Sequence, residues 1–150
     1  MRIVVDTNIV FSAILNTDGK LSRIILHPKS RLNFYTTNFL YEELSKHKTK
    51  LISLSKYSES EFQRAFTLIT QRIKIINFDL IPKKDFETAI KLAYNIDEND
   101  IEFVALTEHI KGKLWTGDTV LIKGLTRKNW IKIITTKELY QLTVKDRKRS

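Results

Sequence analysis

The sequence predicts an α/β fold: a three-layer α/β/α domain around a five-stranded parallel sheet. Three observations carry that expectation. Short β-branched apolar runs alternate with segments of helical period, the alternation continues along the whole chain, and 150 residues with 42% hydrophobic content suffice for one core. With no internal repeat, low-complexity tract or linker, the chain reads as a single domain over 1–142. A basic tail over 143–150 follows, carrying Lys145, Arg147, Lys148 and Arg149.

Taken in order, Ile3-Val4-Val5 predicts a short buried strand. Asn8 to Leu15 reads as a helix, interrupted by Thr17-Asp18-Gly19 before a second helix from about Leu21 to Leu26, which His27-Pro28 stops. Leu32 to Tyr35 predicts the second strand, after which Thr37 or Asn38 caps a helix running towards Lys48. Ser58 and Glu61 have capping-box spacing, and Phe62, Ala65, Phe66 and Ile69 follow at helical intervals, so 58–72 is an amphipathic helix. Ile73 to Asn77 predicts the third strand. After Pro82 a helix carries Phe86, Ala89, Ile90, Ala93 and Tyr94 on one face, and a further helix begins near Asp97 to Asp100 and ends at Gly112. Leu114-Trp115 and Ile131 to Ile134 complete the sheet, ahead of a short C-terminal helix.

Composition removes several classes of function. Zero cysteines exclude disulfides, thiol catalysis and Cys-ligated zinc, and 4 glycines with 2 prolines exclude a collagen-like or linker protein. No stretch approaches the roughly 18 apolar residues of a membrane span. Asp6 interrupts the N-terminal apolar run too early for a signal peptide, which points to the cytoplasm. The 26 Lys plus Arg against 17 Asp plus Glu leave a formal charge of +9. Such a surplus attracts polyanions through counterion release, although solubility alone also accounts for lysine-rich usage.

Ligands of open parallel sheets gather outside the carboxyl ends of the strands. Asp6 directly follows the first predicted strand, and Asp118 follows Leu114-Trp115 through Thr116-Gly117; each also suits the N-cap of a following helix. Helical projection at about 100° per residue sets Glu43 between Phe39 and Leu40, whereas Glu42 projects elsewhere and is spaced to pair with Lys46. Asp100 projects near Val104 and Thr107, away from Glu102 and His109 on the polar side. It equally suits the third position of a capping box opened by Asp97. Glu108 falls between apolar neighbours with no evident reason in the sequence. Two strand-end acids and two helical acids suit Mg²⁺ or Mn²⁺, since hard cations take oxygen ligands. His27, His47 and His109 lack zinc-ligand spacing and read as surface or packing residues, as Trp115 and Trp130 read as packing. No P-loop, dinucleotide fingerprint or nucleophile elbow is present.

Asp6-Thr7-Asn8 after a strand, Glu43 on an early helix, Asp100 opening a later helix and Thr116-Gly117-Asp118 after a strand together resemble the PIN-domain nuclease family. The resemblance runs from Met1 to about Leu142 and is most specific over Val4 to Asn8 and from Asp100 to Asp118. It implies a metal-dependent ribonuclease centre of Asp6, Glu43, Asp100 and Asp118. Asp6, Asp100 and Asp118 would hold one Mg²⁺ or Mn²⁺, and Glu43 would position or deprotonate the water. Asn8 and Thr116 would orient carboxylates or that water, with Asp97 a peripheral acid. Stand-alone proteins of this size in the family are similar to the toxin halves of VapBC-type toxin–antitoxin pairs, commonly homodimers held inactive by a small antitoxin. Val120 is a departure: many relatives carry another acid two residues beyond the Thr-Gly-Asp aspartate, so the resemblance does not carry a full second metal site. Lys20, Lys123, Arg127, Lys128 and the tail are candidate contacts to RNA phosphates.

Three rival readings use the same residues. A haloacid-dehalogenase-type phosphatase wants a second Asp where this chain has Asn8, and a receiver-like phosphoacceptor wants paired acids where it has Asp6 alone. The non-enzyme alternative is a catalytically silent PIN-like module that binds RNA or a partner through its basic surface.

Overall fold

The computed structural model describes residues 1–28, 30–96 and 100–145. Five strands, β1 (Arg2–Val5), β2 (Asn33–Thr37), β3 (Ile73–Ile76), β4 (Lys113–Trp115) and β5 (Ile133–Ile134), pair in the order β3-β2-β1-β4-β5. Every pairing is parallel. The order reverses at β1, so the crevice expected at such a switch point opens between the ends of β1 and β4.

Around the sheet lie α1 (Thr7–Leu15), α2 (Lys20–Ile25), α3 (Phe39–Ser55), α4 (Glu59–Thr70), α5 (Lys83–Ala93), α6 (Ile101–Ile110), α7 (Thr119–Arg127) and α8 (Thr136–Tyr140). A 3₁₀ turn over Phe78–Leu80 precedes α5, and a π-helical turn over Gln141–Lys145 follows α8. The β1 residues alternate between two cores. Ile3 and Val5 join Phe34, Trp115 and Ile134 against α1, α2, α3, α4 and α8, whereas Val4 and Leu114 meet α5, α6 and α7. Both faces of the sheet are therefore covered, which is why its strands read as continuous apolar runs instead of alternating ones.

The predicted fold class matches this architecture, and the differences are local. α3 continues to Ser55, beyond Lys48, and ends on Lys56 in a left-handed conformation. The segment between the last two strands folds as α7, with Leu121 and Leu125 buried. Gly124 weakens the helical pattern there, and a Cβ at that position would sit 2.5 Å from the Ile96 Cδ1, so a larger residue would force the Ile96 side chain to shift. The Ser58–Glu61 capping box forms as spaced. α6 starts at Ile101 with Asp100 as its N-cap, while Asp97 lies outside the described residues. Packing continues past Leu142 through buried Thr143 and Val144. Trp115 is fully buried against Phe34 and donates from Nε1 to Thr136 Oγ1 at 2.9 Å. Trp130 is buried as well, and its Nε1 donates to Glu108 at 2.7 Å, while Lys132 reaches the same carboxylate at 3.1 Å. That pair of contacts accounts for Glu108 among apolar neighbours: it is a structural acid with two donors. No helix among the described residues is long and apolar enough to cross a membrane.

Gly112, where the chain leaves α6 for β4, passes so close to β1 that an added Cβ would meet the Arg2 carbonyl oxygen at 2.6 Å. Backbone cannot swing aside as a side chain can. Gly112→Ala is expected to destabilise the protein by about 1–3 kcal/mol through overpacking, lowering the thermal midpoint by roughly 2–4 °C per kcal/mol. An unchanged midpoint in a calorimetric scan would contradict this close approach.

Candidate active site

At the carboxyl ends of the strands, Asp6, Glu43, Asp100 and Asp118 line one cleft of about 130 Å³ with Thr7, Asn8, Phe39 and Phe103. Each acid arrives from a different element, and local structure fixes its direction. Asp6 ends β1 and caps α1, with Oδ1 accepting from the Asn8 N–H at 3.0 Å. Its Oδ2 accepts from Thr116 Oγ1 at 2.7 Å. Thr116 in turn accepts the Asp118 N–H at 3.1 Å, so one buried hydroxyl joins the ends of β1 and β4. Asp118 caps α7, and its Oδ1 accepts from the N–H groups of Val120 and Leu121. Its other carboxylate oxygen has no hydrogen-bond partner among the described residues.

The capping role expected of Asp6 and Asp118 thus coexists with their place in the cleft. A helix N-terminus carries partial positive charge, which offsets part of the repulsion among the acids. Asp100 behaves differently. It is 7% exposed and its side chain makes no capping bond to α6. Glu43 stands on the first turns of α3, where Phe39 accompanies it into the cleft, and His47 Nε2 lies 3.3 Å from its Oε2 one turn later. The start of α3 is tied to two strands: the Phe39 N–H donates to Thr37 Oγ1 at the end of β2, and Asn38 Oδ1 accepts the Phe78 N–H beyond β3.

One acid of this region escaped the helical projection. Glu102 accepts from Thr37 Oγ1 at 3.4 Å. Burial raises its pKa; the Thr37 hydrogen bond opposes that rise, and the charges of Glu42 and Glu43 add to it. Glu42 therefore lies near enough to Glu102 to repel its charge, and it forms no ion pair with Lys46 among the described residues. Projection on α6 alone shows a polar side; only the neighbouring ends of β2 and α3 reveal that this side carries further acids.

The candidate phosphate contacts scatter. Lys20 Nζ lies over the Tyr140 ring at 4.6 Å, a cation–π contact. Lys128 Nζ donates to the carbonyls of Lys91 and Leu92 at 3.1 and 2.8 Å, which commits it to the C-terminal end of α5 rather than to a ligand. Lys123 and Arg127 are exposed on α7, the helix that Asp118 caps. Of the other expected residues, Asn8 lines the cleft and Thr116 supports it from beneath.

The donor set can be tested against a cation. Every candidate ligand is an oxygen, as Mg²⁺ and Mn²⁺ require. Thr7 Oγ1 lies in the cleft wall, in a residue 5% exposed, without a hydrogen-bond partner among the described residues. Among those residues no three Asp, Glu or His side chains close on one point. The arrangement is a cleft rather than a cage, and it fits a hard cation that keeps several of its waters.

The sequence matches the PIN domain family over residues 4–142. The fold is similar to that in the crystal structure of VapBC2 from Rickettsia felis bound to a DNA fragment from their promoter. The TM-score is 0.62 at 16% identity, covering 90% of this chain and 97% of that one. No curated protein sequence matches at a significant level.

Two outcomes follow. Thr116→Val removes the donor to the buried Asp6 carboxylate and is expected to cost about 1–3 kcal/mol in urea unfolding at neutral pH, while Thr116→Ser keeps most of that stability. Equal loss in both variants would shift the cause from the hydroxyl to packing. Glu102 has a folded-state pKa raised above its ordinary value, so the stability it contributes is present at low pH and is lost as pH rises through that raised value. In chelator, Glu102→Gln should therefore raise the melting temperature near pH 7.5 and change it little near about pH 3.5. A pH-independent difference would contradict this assignment.

Proposed function

The chain belongs to the PIN-domain family of nucleases, and from that membership we propose that it is a metal-dependent endoribonuclease serving as the toxin of a VapBC-type toxin–antitoxin pair. The observation that carries the reading is the convergence of Asp6, Glu43, Asp100 and Asp118 on one cleft at the carboxyl end of the sheet. Asp6, Asp100 and Asp118 would hold one Mg²⁺ or Mn²⁺. When bound, the cation would neutralise these carboxylates and the charge of the phosphodiester. Glu43, oriented by His47, takes the proton of the attacking water at its carboxylate. Thr116 keeps Asp6 in one orientation, and Asn8, which lines the cleft, would orient a carboxylate or the attacking water. Exposed Lys123 and Arg127 are the remaining candidates for phosphate contact.

Further parts of the reading rest on likeness. The similar structure is that of VapBC2, which supports a small antitoxin as partner; a homodimer in the resting assembly and a cytoplasmic setting complete the same reading. The acidic cleft is where an antitoxin segment would compete with RNA. The expected boundary at residue 142 moves outward, since Thr143 and Val144 pack with the domain; the basic residues Lys145, Arg147, Lys148 and Arg149 at the end of the chain would act as an RNA-attracting tail.

Purified protein incubated with mixed cellular RNA should cleave it only with Mg²⁺ or Mn²⁺, leaving 5′-phosphate and 3′-hydroxyl ends. Asp6→Asn and Asp100→Asn should each reduce the rate by on the order of 100-fold or more. Equal cleavage by the wild type and both variants would sink the assignment. Tight RNA binding with no metal-dependent cleavage would favour the silent module instead.

A further inference from the structure

At the opposite end of the same sheet, where β1, β4 and β5 begin, lies a second and larger cleft of about 960 Å³. Five cationic side chains, Arg2, Lys84, Lys111, Lys113 and Lys132, line it with two acids, Asp85 and Glu108. Glu108 is neutralised by a lysine, whereas Asp85, in the first turn of α5, meets a histidine that opposes its charge only when protonated, so four cations stand against one acid at neutral pH. Glu108 receives Lys132 Nζ at 3.1 Å and Trp130 Nε1 at 2.7 Å, and Asp85 lies 3.6 Å from His109 Nδ1. The Arg2 guanidinium donates to the Ile110 carbonyl at 2.9 Å, which fixes its direction and leaves its charge in place. Lys84, Lys111 and Lys113 form no ion pair among the described residues.

An uncompensated positive cluster is one half of a recognition surface, and the other half is apolar. Ile131, 78% exposed, stands in this cleft with Pro82. So large an exposed apolar side chain beside unpaired lysines suits a ligand with a compact negative group and a flat apolar body. α5 also begins here, with Pro82 as its N-cap and no side-chain capping bond, which adds the positive end of an 11-residue helix to the same region. The volume lies within the roughly 300–1,000 Å³ of small-molecule sites.

We propose that this cleft binds a nucleotide, its phosphate among Lys84, Lys111 and Lys113 and its base against Pro82 and Ile131. A phosphate concentrates about −1.5 to −2 charges at one point, whereas an acidic peptide spreads one charge per residue along a chain; three unpaired ammonium groups in one cleft match the former. The ligand is a free nucleoside monophosphate or the 5′-phosphorylated end of an RNA strand. The site is about 13 Å from the acidic cleft along the strands, at 3.3 Å per residue, and does not depend on the nuclease reading.

The test is a titration followed by backbone amide resonances, using AMP, a 5′-phosphorylated dinucleotide, inorganic phosphate and a Glu-rich peptide as probes. The two nucleotides are expected to shift residues 82–85 and 109–113. Lys84→Glu combined with Lys113→Glu should weaken that binding by about tenfold or more, and Lys50→Glu on α3 should leave it unchanged. Glutamate in the first turn of α5 favours the helix, so lost binding with an unchanged melting temperature reports on the cleft and not on folding. AMP binding as well as the dinucleotide assigns a free nucleotide; much tighter dinucleotide binding assigns an RNA end. Absent shifts, or inorganic phosphate matching AMP in affinity, would overturn the proposal. Tighter binding of the acidic peptide would overturn it in favour of an acidic protein partner. Asp6→Asn should bind AMP as the wild type does, so failure of the nuclease reading and failure of this one are separate results.

Discussion

A single buried hydroxyl holds the acidic end of the molecule together: Thr116 donates to Asp6 at 2.7 Å while accepting the Asp118 N–H at 3.1 Å. The contact exists because β1 and β4 are parallel neighbours in register, with Val5 opposite Trp115, so the residues that follow them emerge side by side. The Asp6 N–H donates to the Trp115 carbonyl and closes the same junction from the backbone. Asp6 can then remain 4% exposed with both carboxylate oxygens hydrogen-bonded, which is what makes burial of that charge tolerable. Loss of this junction would release the two acids that start α1 and α7.

The same parallel arrangement gives the molecule two chemically opposite ends. At the carboxyl ends of the strands stand Asp6, Glu43, Asp100, Asp118 and half-buried Glu102; at the amino ends stand Arg2, Lys84, Lys111, Lys113 and Lys132. The net charge of +9 is therefore a poor description of either surface. On the proposed reading, the basic remainder of the chain would draw a polyanion near by long-range attraction, and a bound cation would offset the carboxylates so that its phosphate could enter the acidic cleft. Helix N-termini work in the same sense at two of the acids, since Asp6 and Asp118 each accept N–H groups of the helix they open.

Much of this was legible in the residues. β-branched runs marked the strands because strands buried on both faces need continuous apolar sequence. The Ser58–Glu61 box forms because its two hydrogen bonds are local. Projection singled out Glu43 and Asp100 because an acid on an apolar helix edge is an anomaly that local sequence already displays. Elsewhere the local signal misled. Glu42 looked like a surface partner of Lys46, Glu102 like an ordinary solvated acid, and Lys128 like a free cation. Their actual neighbours, the paired glutamates and the end of α5, come from distant parts of the chain. Glu108 had no explanation until Trp130 and Lys132 were brought to it.

The sequence by itself determined the alternation of strands and helices, the strand-end positions of Asp6 and Asp118, and the family to which the chain belongs, since each is written in contiguous residues or in short motifs. Tertiary structure decided which side chains share one space. The strand order β3-β2-β1-β4-β5 brings Thr116 to Asp6, the packing of α6 beside the end of β2 brings Glu102 to Thr37, and the common starting end of β1, β4 and β5 gathers the basic cleft. Those encounters depend on pairings between residues up to 110 positions apart. No local periodicity encodes them, because they arise only when separate apolar faces are buried against one sheet.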